Sequence, residues 1–214
     1  AQELQGMEFE NLAVMLITNK NYVNVAVGLK DEDFSRARVP MTKAEIRNLS
    51  LAALNISPRD IVYDIGAGTG SVAIAMARRA YESFVYAIEK SPAAITLLEQ
   101  NRRQLRAYNL KIIQAEAPAG LKDLPPPDKV FIGGSAGNLA AILDVIFAKN
   151  QFVRVVVNAV TLETLHEAVA CFEDRGIEPE VIAVNIAKAK KTGSYRLLRA
   201  HNPVYIISGE YHEK

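Results

Sequence analysis

Short apolar runs alternate with longer amphipathic stretches between residues 42 and 175, and that alternation predicts repeated strand–helix units. Residues 60–64, 84–89, Leu110–Gln114, Lys129–Ile132 and 152–158 read as strands. Helical periodicity follows each turn: residues 42–55, 70–80, 91–108, from Ser135 to about residue 148, and 162–175. Thr42-Lys43-Ala44-Glu45 has the spacing of a capping box. Ser91-Pro92 offers a cap followed by a first-turn proline. Strands separated by helices indicate a parallel sheet with right-handed crossovers. After Gly176 the period drops to two. Residues 181–187 and Tyr195–Ala200 alternate around Thr192-Gly193-Ser194, and 204–208 follow, which predicts a terminal antiparallel set.

The beginning of the chain reads differently. Residues 11–17 form an apolar run like a buried strand, followed by a polar link holding Asn19, Asn21 and Asn24. Residues 1–30 are expected to be the tail and linker of an upstream domain, and 31–214 the working domain. An N-terminal strand belonging to this domain is the alternative.

The chemistry concentrates where the first strand ends. Asp64 is followed by Gly66, Ala67, Gly68, Thr69 and Gly70. Glycines at that spacing permit positive φ and let a ligand lie against the backbone. Free amides at the next helix start face the same space. The dinucleotide fingerprint places its third glycine one residue later. A pyrophosphate at this turn would also meet the charge of Asp64, whereas an ammonium group would welcome it. The second strand ends in Glu89, suited to both hydroxyls of a ribose. The third leads to Glu116, near where an adenine edge would lie. Together these predict S-adenosylmethionine as cofactor and methyl transfer as reaction, with a nicotinamide-linked oxidoreductase as the lesser reading.

Composition narrows the classes further. The net charge is +1 over 214 residues and there is no tryptophan, which disfavours an RNA-modifying enzyme. A methyltransferase of RNA or protein remains the alternative, beside a non-catalytic adenosyl-binding module. Cys171 is the single cysteine, which excludes an internal disulfide and a cysteine-rich metal site. His166, His201 and His212 form no ligand pattern, so no metal is expected. No apolar run has the length of a membrane span and no leader pattern is visible, so the expected location is cytoplasmic, away from membranes and nucleic acid.

Several segments together resemble the decarboxylating C15-methyltransferases of cobalamin biosynthesis, which occur alone or as the C-terminal half of precorrin-6Y C5,15-methyltransferases. The matching pieces are Asp31-Glu32-Asp33-Phe34, Val39-Pro40-Met41-Thr42-Lys43, residues 64–70, Ala115-Glu116-Ala117-Pro118, Ile132-Gly133-Gly134-Ser135, the stretch 158–163 and Asn202-Pro203-Val204. The resemblance covers residues 30–209. It implies a Rossmann-like class I methyltransferase fold, a mostly parallel seven-stranded sheet with a C-terminal antiparallel part. It also implies S-adenosylmethionine contacts at Thr42, at Gly66 through Gly70, at Glu89 and at Ala117. Residues before 30 resemble the end of the C5-methyltransferase half. Relatives carry Gly-Asp-Ala-Pro where this chain has Ala115-Glu116-Ala117-Pro118, and often Pro-Gly-Gly where it has Lys149-Asn150-Gln151.

The implied reaction methylates C15 of a precorrin or cobalt-precorrin and removes carbon dioxide from the ring C acetate. A conjugated macrocycle is its own electron sink, so few indispensable acid–base residues are expected and no catalytic residue is singled out. Gly133, Gly134 and Ser135 are expected to let a flat ring approach. Asn158 and Thr161 are expected to orient the acetate, although Thr161 also reads as a helix cap. Lys188, Lys190, Lys191, Arg196 and Arg199 are expected to meet the carboxylates of the tetrapyrrole, or to serve a solvated hairpin or subunit contact. The resemblance further implies a homotetramer.

Overall fold

The computed structural model of the chain describes residues 28–211 together with Val14, Leu16 and Thr18. The predicted apolar run at 11–17 falls outside the described residues except for Val14 and Leu16, which are exposed. Five runs rich in β-branched and aromatic residues form β1 (Val62–Ile65), β2 (Val85–Glu89), β3 (Leu110–Gln114), β4 (Lys129–Ile132) and β5 (Arg154–Ala159). Helix α1 (Ala44–Leu54) precedes β1, and α2 (Ser71–Ala77), α3 (Pro92–Gln104), α4 (Leu139–Lys149) and α5 (Leu162–Glu173) follow β1, β2, β4 and β5. Then come β6 (Glu180–Val184), β7 (Ala187–Thr192), β8 (Tyr195–Ala200) and β9 (Val204–Gly209). Seven strands make one sheet in the order β3-β2-β1-β4-β5-β9-β6. The five leading strands pair in parallel, and β9 runs antiparallel between β5 and β6. This is the predicted class I architecture.

Strand alternation sorts the core into two layers. Val62, Ala87, Phe131 and Val156 pack on the side of α1 and α2. Tyr63, Ile65, Ile132 and Val157 pack against Leu143 and Ile146 of α4 and Phe172 of α5. Burying each large side chain contributes about 1.5–3 kcal/mol. Asp64 falls on the Val62 side of its strand, where a polar group has no place in a packed layer.

Two local expectations differ from the fold. Thr42 does not cap α1. The first helical bond runs from the Arg47 amide to the Lys43 carbonyl at 2.8 Å, so Lys43 occupies the cap and makes no side-chain cap bond. The partners of the expected box are engaged elsewhere: the Thr42 carbonyl accepts from the Arg47 guanidinium, and Glu45 pairs with Lys188. The terminal strands also pair differently. β6 joins β9, while β7 and β8 form a hairpin of their own. The expected strand 181–187 is interrupted at Asn185 and Ile186, and the Ile186 carbonyl accepts from the His201 amide at the base of the hairpin.

Candidate active site

β1 lies between β2 and β4, so the sheet order turns back beside it. In open α/β sheets ligands bind beyond the carboxyl ends of strands at such a point. A cavity of ≈ 740 Å³ lies there, within the usual range for small-molecule sites. Its floor is the loop after β1. Gly66 has φ 75° and Gly68 φ 55°, in the region that favours glycine. A Cβ on Gly66 would stand 2.6 Å from the Gly134 carbonyl oxygen, and one on Gly68 would stand 3.4 Å from the Pro40 carbonyl oxygen. Bare backbone is therefore what lets three loops meet around the cavity.

Asp64 is 1% exposed and lines this space. Neither carboxylate oxygen has a hydrogen-bond partner. Burial raises its pKa to about 7; the nearby Ala73 amide opposes the rise and the Glu89 charge adds to it. Orphaned carboxylates are expensive to bury, so this one calls for a cationic partner.

Glu89 is held differently. Its two oxygens accept the Gly68 and Ser91 amides, each at 2.8 Å. One carboxylate thereby joins the β1 loop to the β2–α3 turn, with lone pairs left over for a ligand. Glu116 lies 2.7 Å from Lys90 in an ion pair, and Ala117 lines the same end. Ala67 and Thr69 complete the loop's share of the lining. Gly70, expected among the cofactor contacts, does not line the cavity. It starts α2 at φ 77°, and a Cβ there would fall 1.9 Å from Leu98 Cδ1. Its smallness serves the packing of α2 on α3.

The opposite wall is a strap, residues 38–43, which includes Thr42. Arg47, 0% exposed, fastens it. Its guanidinium donates to the Thr42 carbonyl at 2.8 Å and the Leu29 carbonyl at 2.6 Å, and stacks 4.9 Å from the Phe34 ring centroid. Burial lowers the Arg47 pKa, against the opposing pull of Asp31. Asn101 of α3, also 0% exposed, ties the strap's approach to the floor. Its amide donates to the carbonyls of Ser35 and Thr69 at 2.8 and 2.9 Å, and its oxygen accepts the Ser35 amide at 2.8 Å.

On the far side Gly133, Gly134, Ser135 and Asn158 line the cavity as expected from the sequence. The glycines also carry out a second task, since Gly134 is the backbone that Gly66 must clear. Asn158 is positioned by Ser50 of α1. Its amide donates to Ser50 Oγ at 2.9 Å, and that hydroxyl lies 2.9 Å from the Ile46 carbonyl it donates to. Thr161 does not reach the cavity. It caps α5, accepting the Thr164 amide at 3.2 Å. Lys190 and Arg196 also stand apart from it, on the exposed hairpin. Arg47, Ser50 and Asn101 were not singled out by the sequence reading. Among the described residues no His, Cys, Asp and Glu group is arranged to hold a metal ion.

A family profile described as precorrin methyltransferase domain matches residues 33–210. The chain belongs to that family. A precorrin family protein of Pyrobaculum calidifontis, named probable cobalt-precorrin-6B C(15)-methyltransferase (decarboxylating), is 36% identical over 184 residues, 85% of this chain and 94% of its own length. The crystal structure of a precorrin-6y C5,15-methyltransferase from Geobacter metallireducens superposes with a TM-score of 0.82 at 40% identity, covering 86% of this chain and 97% of that one. The C-terminal domain of the precorrin-6Y C5,15-methyltransferase of Rhodobacter capsulatus gives 0.76 at 28% identity, covering 88% of this chain and all of that one (100%). This precorrin methyltransferase family member thus shares its fold over nearly the whole of the relatives it matches.

Proposed function

We propose that this chain transfers a methyl group from S-adenosylmethionine to C15 of a precorrin or cobalt-precorrin and releases carbon dioxide from the ring C acetate, within cobalamin biosynthesis. The observation that carries the reading is Asp64, an unpartnered carboxylate buried in a glycine-floored cavity at the turning point of the sheet. The residues fit the cofactor: an orphaned acid awaits an ammonium group, and the space at Gly66 and Gly68 is space that a Cβ would fill.

When bound, S-adenosylmethionine supplies a methyl group already activated on its sulfonium. The chain's part is then to place two reactants and to exclude water. Asp64 holds the ammonium end. Glu89, fixed by two amides, accepts the ribose hydroxyls. Glu116 and Ala117 border the adenine, and Thr42 covers the group from the strap. Gly133, Gly134 and Ser135 leave room for the edge of the macrocycle, while Ser50 fixes the Asn158 amide that orients the acetate. Decarboxylation needs no protein electron sink, because the conjugated ring accepts the electron pair.

Incubation with S-adenosylmethionine and a C15-unmethylated precorrin tests this. The expected product has gained one methylene and lost one carbon dioxide by mass spectrometry, and S-adenosylhomocysteine stabilises the protein by about 2.7 kcal/mol at a hundredfold excess over Kd. Stabilisation by NAD or by RNA instead would end the reading. We also propose that residues 1–30 are the tail of an upstream C5-methyltransferase half, which the intact mass of the natural product decides. The described residues include no helix long and apolar enough to cross a membrane.

A further inference from the structure

We propose that Arg38 and Lys43, both on the strap, are the cations that dock the carboxylates of an anionic substrate at this cavity. The proposal rests on the functional reading above and names the side chains that meet the polycarboxylate.

The cavity wall carries a division of charge. Asp64, Glu89 and Glu116 line the floor and the strand ends, whereas Arg38 and Lys43 line the strap across from them. Lys90, the remaining cation of the lining, is occupied by Glu116 at 2.7 Å. Arg38 is exposed, and its side chain has no hydrogen bond or ion pair among the described residues. Lys43 has only a long contact with Asp31, at 3.8 Å. One wall is therefore suited to a cationic amino group and a ribose, the other to acids.

Two local irregularities accompany these cations. Ala37, just before Arg38, has φ 46°, a backbone conformation unfavourable for a residue with a Cβ. Lys43 occupies the cap of α1, where a cation opposes the helix dipole. Departures from local preference concentrate where a site imposes its own demands. The strap itself is held by Arg47 and approached through Asn101, so the two cations stand on anchored backbone. The hairpin cations expected from the sequence lack this placement: Lys190 and Arg196 do not line the cavity, and Lys188 is engaged by Glu45 at 2.6 Å. Arginine suits bidentate pairing with a carboxylate, and lysine supplies a point charge beside it.

The test uses uroporphyrin III, a soluble tetrapyrrole bearing acetates and propionates, with S-adenosylhomocysteine as the second ligand. Binding is followed by porphyrin fluorescence and by calorimetry on the full chain. Arg38→Gln and Lys43→Gln are each expected to weaken uroporphyrin binding about tenfold or more, with S-adenosylhomocysteine affinity held, and Arg38→Lys to recover part of the loss. Added salt should weaken porphyrin binding in the parent protein and much less in the double variant. Unchanged uroporphyrin affinity overturns the proposal. So does an equal loss of both ligands, which would mean that the substitutions disturb the strap rather than the charge. A loss seen instead in Lys190→Glu with Arg196→Glu assigns the task to the hairpin and overturns it as well. Failure of the parent reading shows separately, as absence of S-adenosylhomocysteine binding by the unsubstituted protein.

Discussion

Burial, where neither carboxylate oxygen has a hydrogen-bond partner, pushes the Asp64 pKa up to about 7, with the Ala73 amide opposing the rise and the Glu89 charge adding to it. The pKa lies above the ordinary value, so folding takes up a proton. That contribution to stability is complete below about pH 4 and is lost as pH rises toward about 7. The rise from 3.8 to about 7 corresponds to about 4 kcal/mol. A bound ammonium group reverses the preference and expels the proton. S-adenosylhomocysteine should therefore bind more tightly as pH rises through about 7, with a binding enthalpy that depends on the buffer's own ionisation heat. Asp64→Asn should abolish that buffer dependence, weaken binding about tenfold and stabilise the unliganded protein above pH 7. Buffer-independent heats between about pH 6 and 8 would remove Asp64 from contact with the amine. The place of Asp64 at the cavity was legible in the sequence, because an acid ending an apolar strand before three glycines marks the end of a central strand, where such cavities lie. Arg47, Ser50 and Asn101 were not legible. Their side chains bond mainly to backbone carbonyls or to residues remote in sequence, and a polar residue on a helix otherwise reads as part of its solvated face.

Among the elements, α3 joins floor to wall. Asn101 makes three bonds to two segments far away in sequence, so Asn101→Ala leaves buried polar groups without partners. Chemical denaturation should register a loss of about 3 kcal/mol, and S-adenosylhomocysteine affinity should fall with it. A loss below about 0.5 kcal/mol would show that water replaces the carboxamide without penalty. The helices and parallel strands were readable from period alone, and their bounds lie within a few residues of those expected. Caps were less readable. Ser91 does cap α3 through the Ala94 amide, but Thr42 loses the same task because Arg47 takes its carbonyl and Lys188 takes Glu45. Such competition comes from residues distant in sequence, which a local motif cannot register.

At the scale of the molecule, the C-terminal strands carry exposed apolar side chains among the described residues. Tyr195, Leu197 and Leu198 are exposed on β8, and Val181 and Ile182 are exposed on the edge strand β6. Surfaces of this kind mark association sites. We expect the homotetramer implied by the resemblance, seen by light scattering as about four times the 23.5 kDa chain, and we expect Leu198→Glu to lower that mass; a single-chain mass at micromolar concentration would refute the assembly. The sequence announced an antiparallel end but not its partners, because an alternating strand fits β8 or β9 equally until packing selects the register. The acids around the cavity have a wider consequence. Adenosine circulates mostly joined to phosphates, as ATP, as coenzyme A and as the dinucleotides. Under the proposed function, the carboxylates of Asp64 and Glu89 on the cavity floor disfavour a phosphate at the glycine loop and favour an amine there, while the strap cations leave the opposite wall open to acids, so the floor that would grip one nucleoside would also turn away its phosphorylated relatives.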